Sequence, residues 1–231
     1  MRSLGRLYRG MLISLIFAVT ASGLFAYSDS EWDPVILSGR FFVQLEPAGP
    51  FEPEVFDEEL AINRLLDEAS FVFSAMIYGF DFTYTPLDTA RSVAEEFEIS
   101  PVHSIAAGDP ALEVKAGRFS DGIYYADISY RLSDSQIPWY DSWESGASID
   151  VISRGEGSLT GGLEGKLDSL RDAVKQALRD HLRPRLYNKP RRVDGRARLN
   201  TVPDITMASG RFRSRAGVTL EIDEILEYEI F

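Results

Sequence analysis

The sequence predicts an α+β fold with a mainly antiparallel sheet of about seven or eight strands, two longer amphipathic helices and one short helix. Helix-like and strand-like patterns follow one another in runs, without the strict alternation of a doubly wound parallel sheet. The last segment, 218–230, alternates apolar and mostly acidic residues, as in a strand with one buried and one solvated face. The 231 residues, 45% of them hydrophobic, suffice for a single compact domain.

The N-terminus has the three parts of a secretory signal peptide. Residues 1–26 contain a basic start with three arginines, an apolar run and a small-residue end at Ala26. We expect its removal to leave 27–231 as one exported domain. The alternative is an uncleaved N-terminal anchor, because no charged residue occurs between Arg9 and Asp29. Both interpretations place the domain in the periplasm or at the extracytoplasmic face of the membrane, since the arginines stay inside.

The first half of the domain contains predicted strands at 35–45 and 80–85. Between them, Asp57 caps a helix whose apolar residues recur at three- and four-residue steps and which ends by Gly79. A threonine followed by proline then predicts a short helix over 86–97, because this pair matches an N-cap and a first helical residue.

The second half contains a predicted hairpin at 111–132, with an Asp-Gly turn, and a strand at 147–154. The longest helix begins at Leu159 or Gly162 and ends at Arg183, because a proline follows directly. Its leucines and valine form one apolar stripe. Three further strands complete the chain.

Composition and charge restrict the function classes. The sequence has no cysteine, which excludes disulfides, thiolate metal sites, a cysteine nucleophile and the acylated cysteine of a lipoprotein. Without its first 26 residues the chain has 21 basic and 36 acidic residues, a formal charge of −15. This charge disfavours nucleic acid as a partner.

The basic residues concentrate in one region. Between Arg171 and Arg215 thirteen lysines or arginines accompany only four acids, a local balance of +9. We predict a site here for an anionic surface or partner, such as phospholipid head groups or an acidic protein. The predicted site consists of Arg183, Arg185, Lys189, Arg191, Arg192, Arg196 and Arg198. The alternative is a solvated face whose charges pair with the protein's own acids.

An aromatic segment is the second candidate for binding. Trp139, Tyr140 and Trp143 lie close together beside proline and acids. If exposed, they form a platform for a sugar, a peptide or a lipid chain. If buried, they close one end of the core.

The sequence favours a non-catalytic protein. Only His103 and His181 are available to hydrolases that need histidine. The glycine-rich segment 155–166 lacks the spacing of a phosphate loop, and no metal-ligand or cofactor motif is complete. We therefore expect no catalytic residues, metal or cofactor, and an envelope protein that acts as a binding or interaction module. The alternatives are a carrier of a hydrophobic ligand and a hydrolase of envelope material that uses paired carboxylates.

Overall fold

Two antiparallel sheets and three helices make up the described part of the chain. The structure is a computed structural model and describes residues 34–45, 57–106, 108–144, 148–184 and 189–228. The predicted signal peptide and Arg185 lie outside these residues. In chain order the elements are β1 (Ile36–Gln44), α1 (Glu58–Ile77), β2 (Phe80–Thr85), β3 (Glu96–Pro101), β4 (Leu112–Ser120), β5 (Ile123–Arg131), α2 (Ile137–Asp141), β6 (Ile149–Ser158), α3 (Gly162–Leu182), β7 (Arg192–Leu199), β8 (Asp204–Ala208) and β9 (Arg211–Leu226). The predicted fold class is confirmed.

The long strand β9 organises the larger sheet. The smaller sheet has the order β1-β5-β4 and the larger one β3-β2-β7-β9-β6. Strand β6 pairs with β9 along one side, while β8 and then β7 pair along the other. Helix α3 packs on β6 and β9, and α1 contacts strands of both sheets, so that the apolar core lies around α1.

Several local predictions are confirmed. The Asp57 carboxylate caps α1, because it accepts a hydrogen bond of 2.7 Å from the backbone N–H of Leu60. In the hairpin of β4 and β5, Asp121 and Gly122 have φ values of 52° and 74°. This left-handed conformation is the one that a two-residue hairpin turn requires.

The prediction of a short helix over 86–97 is wrong. The Asp88 carboxylate accepts hydrogen bonds from two backbone N–H groups that follow it and pairs with the Arg91 guanidinium at 2.6 Å. The backbones of Asp88 and Val93 also bond to each other. Such local bonds of aspartate compete with helix formation. The segment is therefore a turn that connects β2 with β3, and the short helix of the fold is α2.

Glycines allow α3 to lie directly on β6. A Cβ atom on Gly155 would overlap the backbone at Ser169, and one on Gly157 would overlap the backbone at Gly165. The Ser153 hydroxyl donates a hydrogen bond of 2.7 Å to the backbone oxygen of Ala173 across the same contact. The glycine-rich segment thus serves close helix–strand packing, as glycine does where two backbones approach each other.

A buried ion pair joins α3 to α1. The Lys166 Nζ atom lies 2.8 Å from Glu68 Oε2, and both side chains are only 4% exposed. The same ammonium group donates to the backbone oxygen of Phe42 in β1 and lies 3.8 Å from the centroid of that ring. Burial raises the pKa of Glu68 and lowers the pKa of Lys166, because each charged form loses its hydration, while the contact between them opposes both shifts.

The glycine contact predicts a difference between two alanine variants. Gly155→Ala should lose about 1–3 kcal/mol or more of the free energy of unfolding, because the new methyl group overlaps the backbone of α3. Gly161→Ala is the control, since nothing lies within 4 Å of a Cβ atom there, and it should change stability by less than about 1 kcal/mol. Urea unfolding followed by circular dichroism measures both. Equal losses would contradict this packing.

The buried ion pair predicts non-additive effects. Lys166→Met should cost about 3–5 kcal/mol of unfolding free energy, because Glu68 is left buried without its cation. The double variant Lys166→Met with Glu68→Leu should recover most of that loss, since no charge remains buried. Urea unfolding of the single and double variants tests this. A double variant less stable than Lys166→Met alone would show that the pair does not behave as a unit.

Candidate functional site

The larger sheet has one face that α3 does not cover, and we call it the open face. Cross-strand partners in an antiparallel sheet share a face, so the pairings of β6, β7 and β9 define it. The open face includes Asp150, Ile152, Arg154 and Glu156 of β6, Arg196 and Arg198 of β7, and Arg211, Arg213, Arg215, Thr219 and Glu221 of β9. The residues between them, such as Ser214, point to α3 instead, where the Ser214 hydroxyl donates to the Ser169 backbone oxygen at 2.7 Å.

The structure brings two predicted aromatic residues together with two predicted arginines on this face. Trp143 is only 2% exposed. The guanidinium carbons of Arg196 and Arg198 lie 5.1 and 5.7 Å from its ring. Arg198 also lies 5.6 Å from the ring of Tyr140 and donates to that residue's backbone oxygen at 3.0 Å. We call these four residues the tryptophan–arginine cluster, and cation–π attraction stabilises it.

Two buried donors of this cluster have no hydrogen-bond partner among the described residues. They are Trp143 Nε1 and Arg198 Nε. Burial lowers the pKa of Arg198, because its charged form loses hydration, while Tyr140 and Asp150 act in the opposite direction. A buried donor without an acceptor costs about 1–3 kcal/mol. The cluster therefore includes two donors whose hydrogen bonds are not made by the described residues.

The acids near the cluster already have partners. Glu221 Oε2 accepts from Arg196 at 2.6 Å. Asp150 accepts hydrogen bonds of 2.6 Å from the Thr219 hydroxyl and 3.2 Å from the Asn200 amide. A carboxylate-dependent hydrolase needs one free acid and one free base that face the same cleft. These two acids do not supply such a pair.

Trp139 belongs to a second aromatic group with Tyr78 and His103. Its ring centroid lies 5.0 Å from that of His103 and 5.9 Å from that of Tyr78, in edge-on contacts. Trp139 is 37% exposed, whereas Trp143 is buried. Of the two tryptophans, only Trp139 presents ring surface to solvent.

Among the remaining described residues of the predicted basic site, Arg192 shares the face of β7 with Arg196 and Arg198, and the others lie outside β7. Arg183 is the exposed residue that ends α3. Lys189 and Arg191 are exposed just before β7, and Arg192 pairs with Asp194 at 2.7 Å.

Four arginines that the sequence analysis did not single out also lie on the open face. Arg211 and Arg213 each approach Glu156 at 3.2 Å. Arg154 stands directly opposite Arg215, and neither makes an ion pair with a described residue. Like charges in this position destabilise an antiparallel pair. The alternation of arginine and other residues over 211–215 was the sequence signal that could have placed three of them on one face.

Two clefts border the buried ion pair of α1 and α3. Their volumes are about 30 and 230 Å³, and Glu68 lines both. Small-molecule sites usually enclose about 300–1,000 Å³. Neither cleft has the size that the hydrophobic-carrier alternative requires. Within the described ranges, no helix is long and apolar enough to cross a membrane, and no three metal-ligating side chains gather.

Comparisons with known proteins identify the family of the chain. A family model matches residues 27–228, and the chain belongs to this uncharacterised family. The chain is also 23% identical over 169 residues to an uncharacterized protein of Treponema pallidum (strain Nichols), and the match covers 73% of this chain and 71% of that protein. No solved structure matches the chain.

The two tryptophans should differ in their effect on stability. Trp143→Ala should cost about 3–5 kcal/mol of unfolding free energy, because it removes a buried ring. Trp139→Ala, the matched control, should cost less than about 1.5 kcal/mol, because that ring is partly exposed. Urea unfolding followed by far-UV circular dichroism avoids the change in tryptophan fluorescence. A loss for Trp139→Ala as large as that for Trp143→Ala would contradict the assignment.

Proposed function

We propose that this protein is an exported, non-catalytic binding module of the cell envelope, and that its open face docks an acidic segment of a partner protein. The observation that carries the proposal is the charge of the first half of β9. There Arg211, Arg213 and Arg215 share the open face with Arg154, while Glu156 is the only acid that pairs with any of them among the described residues.

The spacing of these arginines favours a peptide in extended conformation. Successive arginines of β9 are two residues apart, which is about 7 Å along a strand. Acidic side chains at alternate positions of an extended peptide have the same spacing and can meet them in register. Asp204 of β8 stands on the other side of Arg215 and sets one border of this surface.

The distribution of charge favours a short segment over an extended polyanion. The chain after residue 26 has a formal charge of −15 despite its basic region. A short peptide touches only the arginine-bearing surface, and at physiological salt charges more than about 8 Å from it are largely screened. A long polyanion would also approach the acidic remainder of the chain, which repels it.

Export rests on the N-terminal sequence. Residues 1–26 have the composition of a signal peptide. The family match begins at residue 27, directly after the proposed cleavage site at Ala26, which supports a domain boundary there.

The intact mass of the protein from the cells that produce it tests export. A soluble envelope protein with the mass of 27–231 supports cleavage after Ala26. A full-length chain in the membrane supports the anchor alternative, which still places the domain outside the cytoplasm. A full-length chain in the cytosol would refute export.

Peptide binding tests the docking surface. The probe is a synthetic eight-residue peptide with glutamate at alternate positions, measured by calorimetry. The double variant Arg213→Gln with Arg215→Gln should weaken binding about five- to thirty-fold, because two exposed ion pairs of about 0.5–1 kcal/mol are lost.

The matched control removes the same charge from α3, as Arg179→Gln with Arg183→Gln, and should leave peptide binding unchanged. Absence of peptide binding by the wild-type protein, or equal weakening in both double variants, would refute the proposal. Binding to phosphatidylglycerol vesicles without binding to the peptide would assign the face to a lipid surface instead.

A further inference from the structure

Strand β6 ends the larger sheet and has a free edge. Among the described residues it pairs with β9 alone. The backbone N–H of Glu156 points away from β9, because it donates to Asp172 Oδ2 at 3.0 Å. In an antiparallel strand, every second residue directs its N–H and C=O to the same side. The backbone groups of Asp150, Ile152 and Arg154 therefore also point to the free edge.

This edge has neither the bulge of β4 nor the proline of β3, and its own charged residues are Asp150, Arg154 and Glu156. Strand β4 has a bulge at Lys115, and β3 carries two glutamates and Pro101. Bulges, charges and proline are the features that keep sheet edges from pairing with other chains. In β6 the centre of the free edge is instead Ile152, whose side chain is 67% exposed. A strand of this kind is a template for a second strand.

The charged residues on either side of Ile152 are complementary to those of a second, antiparallel copy of β6. Asp150 and Arg154 lie at equal distances on either side of it and on the same face. Antiparallel pairing of two copies centred on Ile152 sets Asp150 of each copy directly opposite Arg154 of the other. Arg154 makes no ion pair with a described residue and faces Arg215 within its own chain. The second copy thus supplies a carboxylate for Arg154, which has none among the described residues of its own chain.

We propose that β6 pairs with β6 of a second copy about a two-fold axis at Ile152, which joins the two larger sheets into one. The three edge-facing residues of each copy then form hydrogen-bonded pairs, in which both N–H···O=C bonds are exchanged. Registers shifted by four residues are disfavoured, because they centre on Asp150 or Arg154 and set like charges opposite each other. The two α3 helices lie on the same face of the joined sheet and run antiparallel beside the axis.

Charge reversal tests the partner and the register together. Wild-type protein should be a dimer in sedimentation equilibrium. Arg154→Asp should raise the dimer dissociation constant at least about tenfold, because the introduced carboxylate faces Asp150 of the second copy. The control Arg131→Asp makes the same charge change at the exposed end of β5 and should leave the dimer intact. A monomeric wild-type protein, or equal effects of the two variants, would overturn the proposal.

Mixing two variants gives a stricter test of the register. Asp150→Arg should also weaken self-association, whereas an equimolar mixture of Asp150→Arg and Arg154→Asp should form a heterodimer, since both charge pairs are restored. Asp150→Arg loses the hydrogen bonds that Asp150 accepts from Thr219 and Asn200. Circular dichroism therefore first establishes that each variant is folded. Two folded variants that do not associate would overturn the register.

A cysteine variant provides a measurement that does not depend on charge. The chain has no cysteine, so Ile152→Cys introduces a single thiol at the proposed axis. Mild oxidation should give a disulfide-linked dimer, because opposed residues of an antiparallel pair are close enough for the bond. Thr160→Cys, at an exposed position after β6, is the control and should form no disulfide-linked dimer under the same conditions. Equal cross-linking of both variants would count against the axis. Arg154 belongs to both the edge and the docking surface, so the cross-link through Ile152→Cys, which changes no charge, tests the dimer separately from peptide binding by Arg213 and Arg215.

Discussion

The contact of α3 with β6 determines how the rest of the structure is arranged. Gly155 and Gly157 let the helix backbone rest on the strand, and the buried pair of Lys166 with Glu68 ties the same helix to α1. One face of β6 and β9 is thereby covered by α3. The polar residues of β6, β7 and β9 must then lie on the opposite face, which is why the arginines of three separate strands meet there. Serine hydroxyls that donate to α3, such as that of Ser153, complete the contact without adding bulk.

The arginines of the open face lie in two different electrostatic environments, one partly buried and one exposed. In the tryptophan–arginine cluster, Arg196 and Arg198 are partly removed from water and are stabilised by the Trp143 ring and by nearby acids. Near the start of β9 the arginines are exposed and share a single carboxylate of Glu156. Desolvation makes the first group a rigid part of the fold, because moving it would uncover Trp143. The second group remains hydrated and available to a partner, at a modest electrostatic cost to the isolated chain.

Periodicity in the sequence was enough to predict most elements, because α1, α3 and β9 each have one apolar side. It failed at Asp88, where bonds between a side chain and the backbone outweighed a helix-like start. The residues of the tryptophan–arginine cluster were also all predicted from the sequence as site residues, but the aromatic residues and the arginines were placed in two separate sites. Trp143 and Arg198 are far apart in the chain, and only the strand order places β7 beneath the indole. The opposition of Arg154 and Arg215 was missed for the same reason, since it depends on the register between two strands.

The bulge at Lys115 and the proline at the end of β3 also limit where further copies of the chain could join the sheets. A sheet that could grow at both ends would add copies without limit, as a filament does. The bulge and the proline make β4 and β3 poor sites for adding a further strand, whereas β1 and β8, like β6, pair on one side only among the described strands. With β3 and β4 guarded in this way, strands can add at fewer places, which limits open-ended growth of the dimer that we propose.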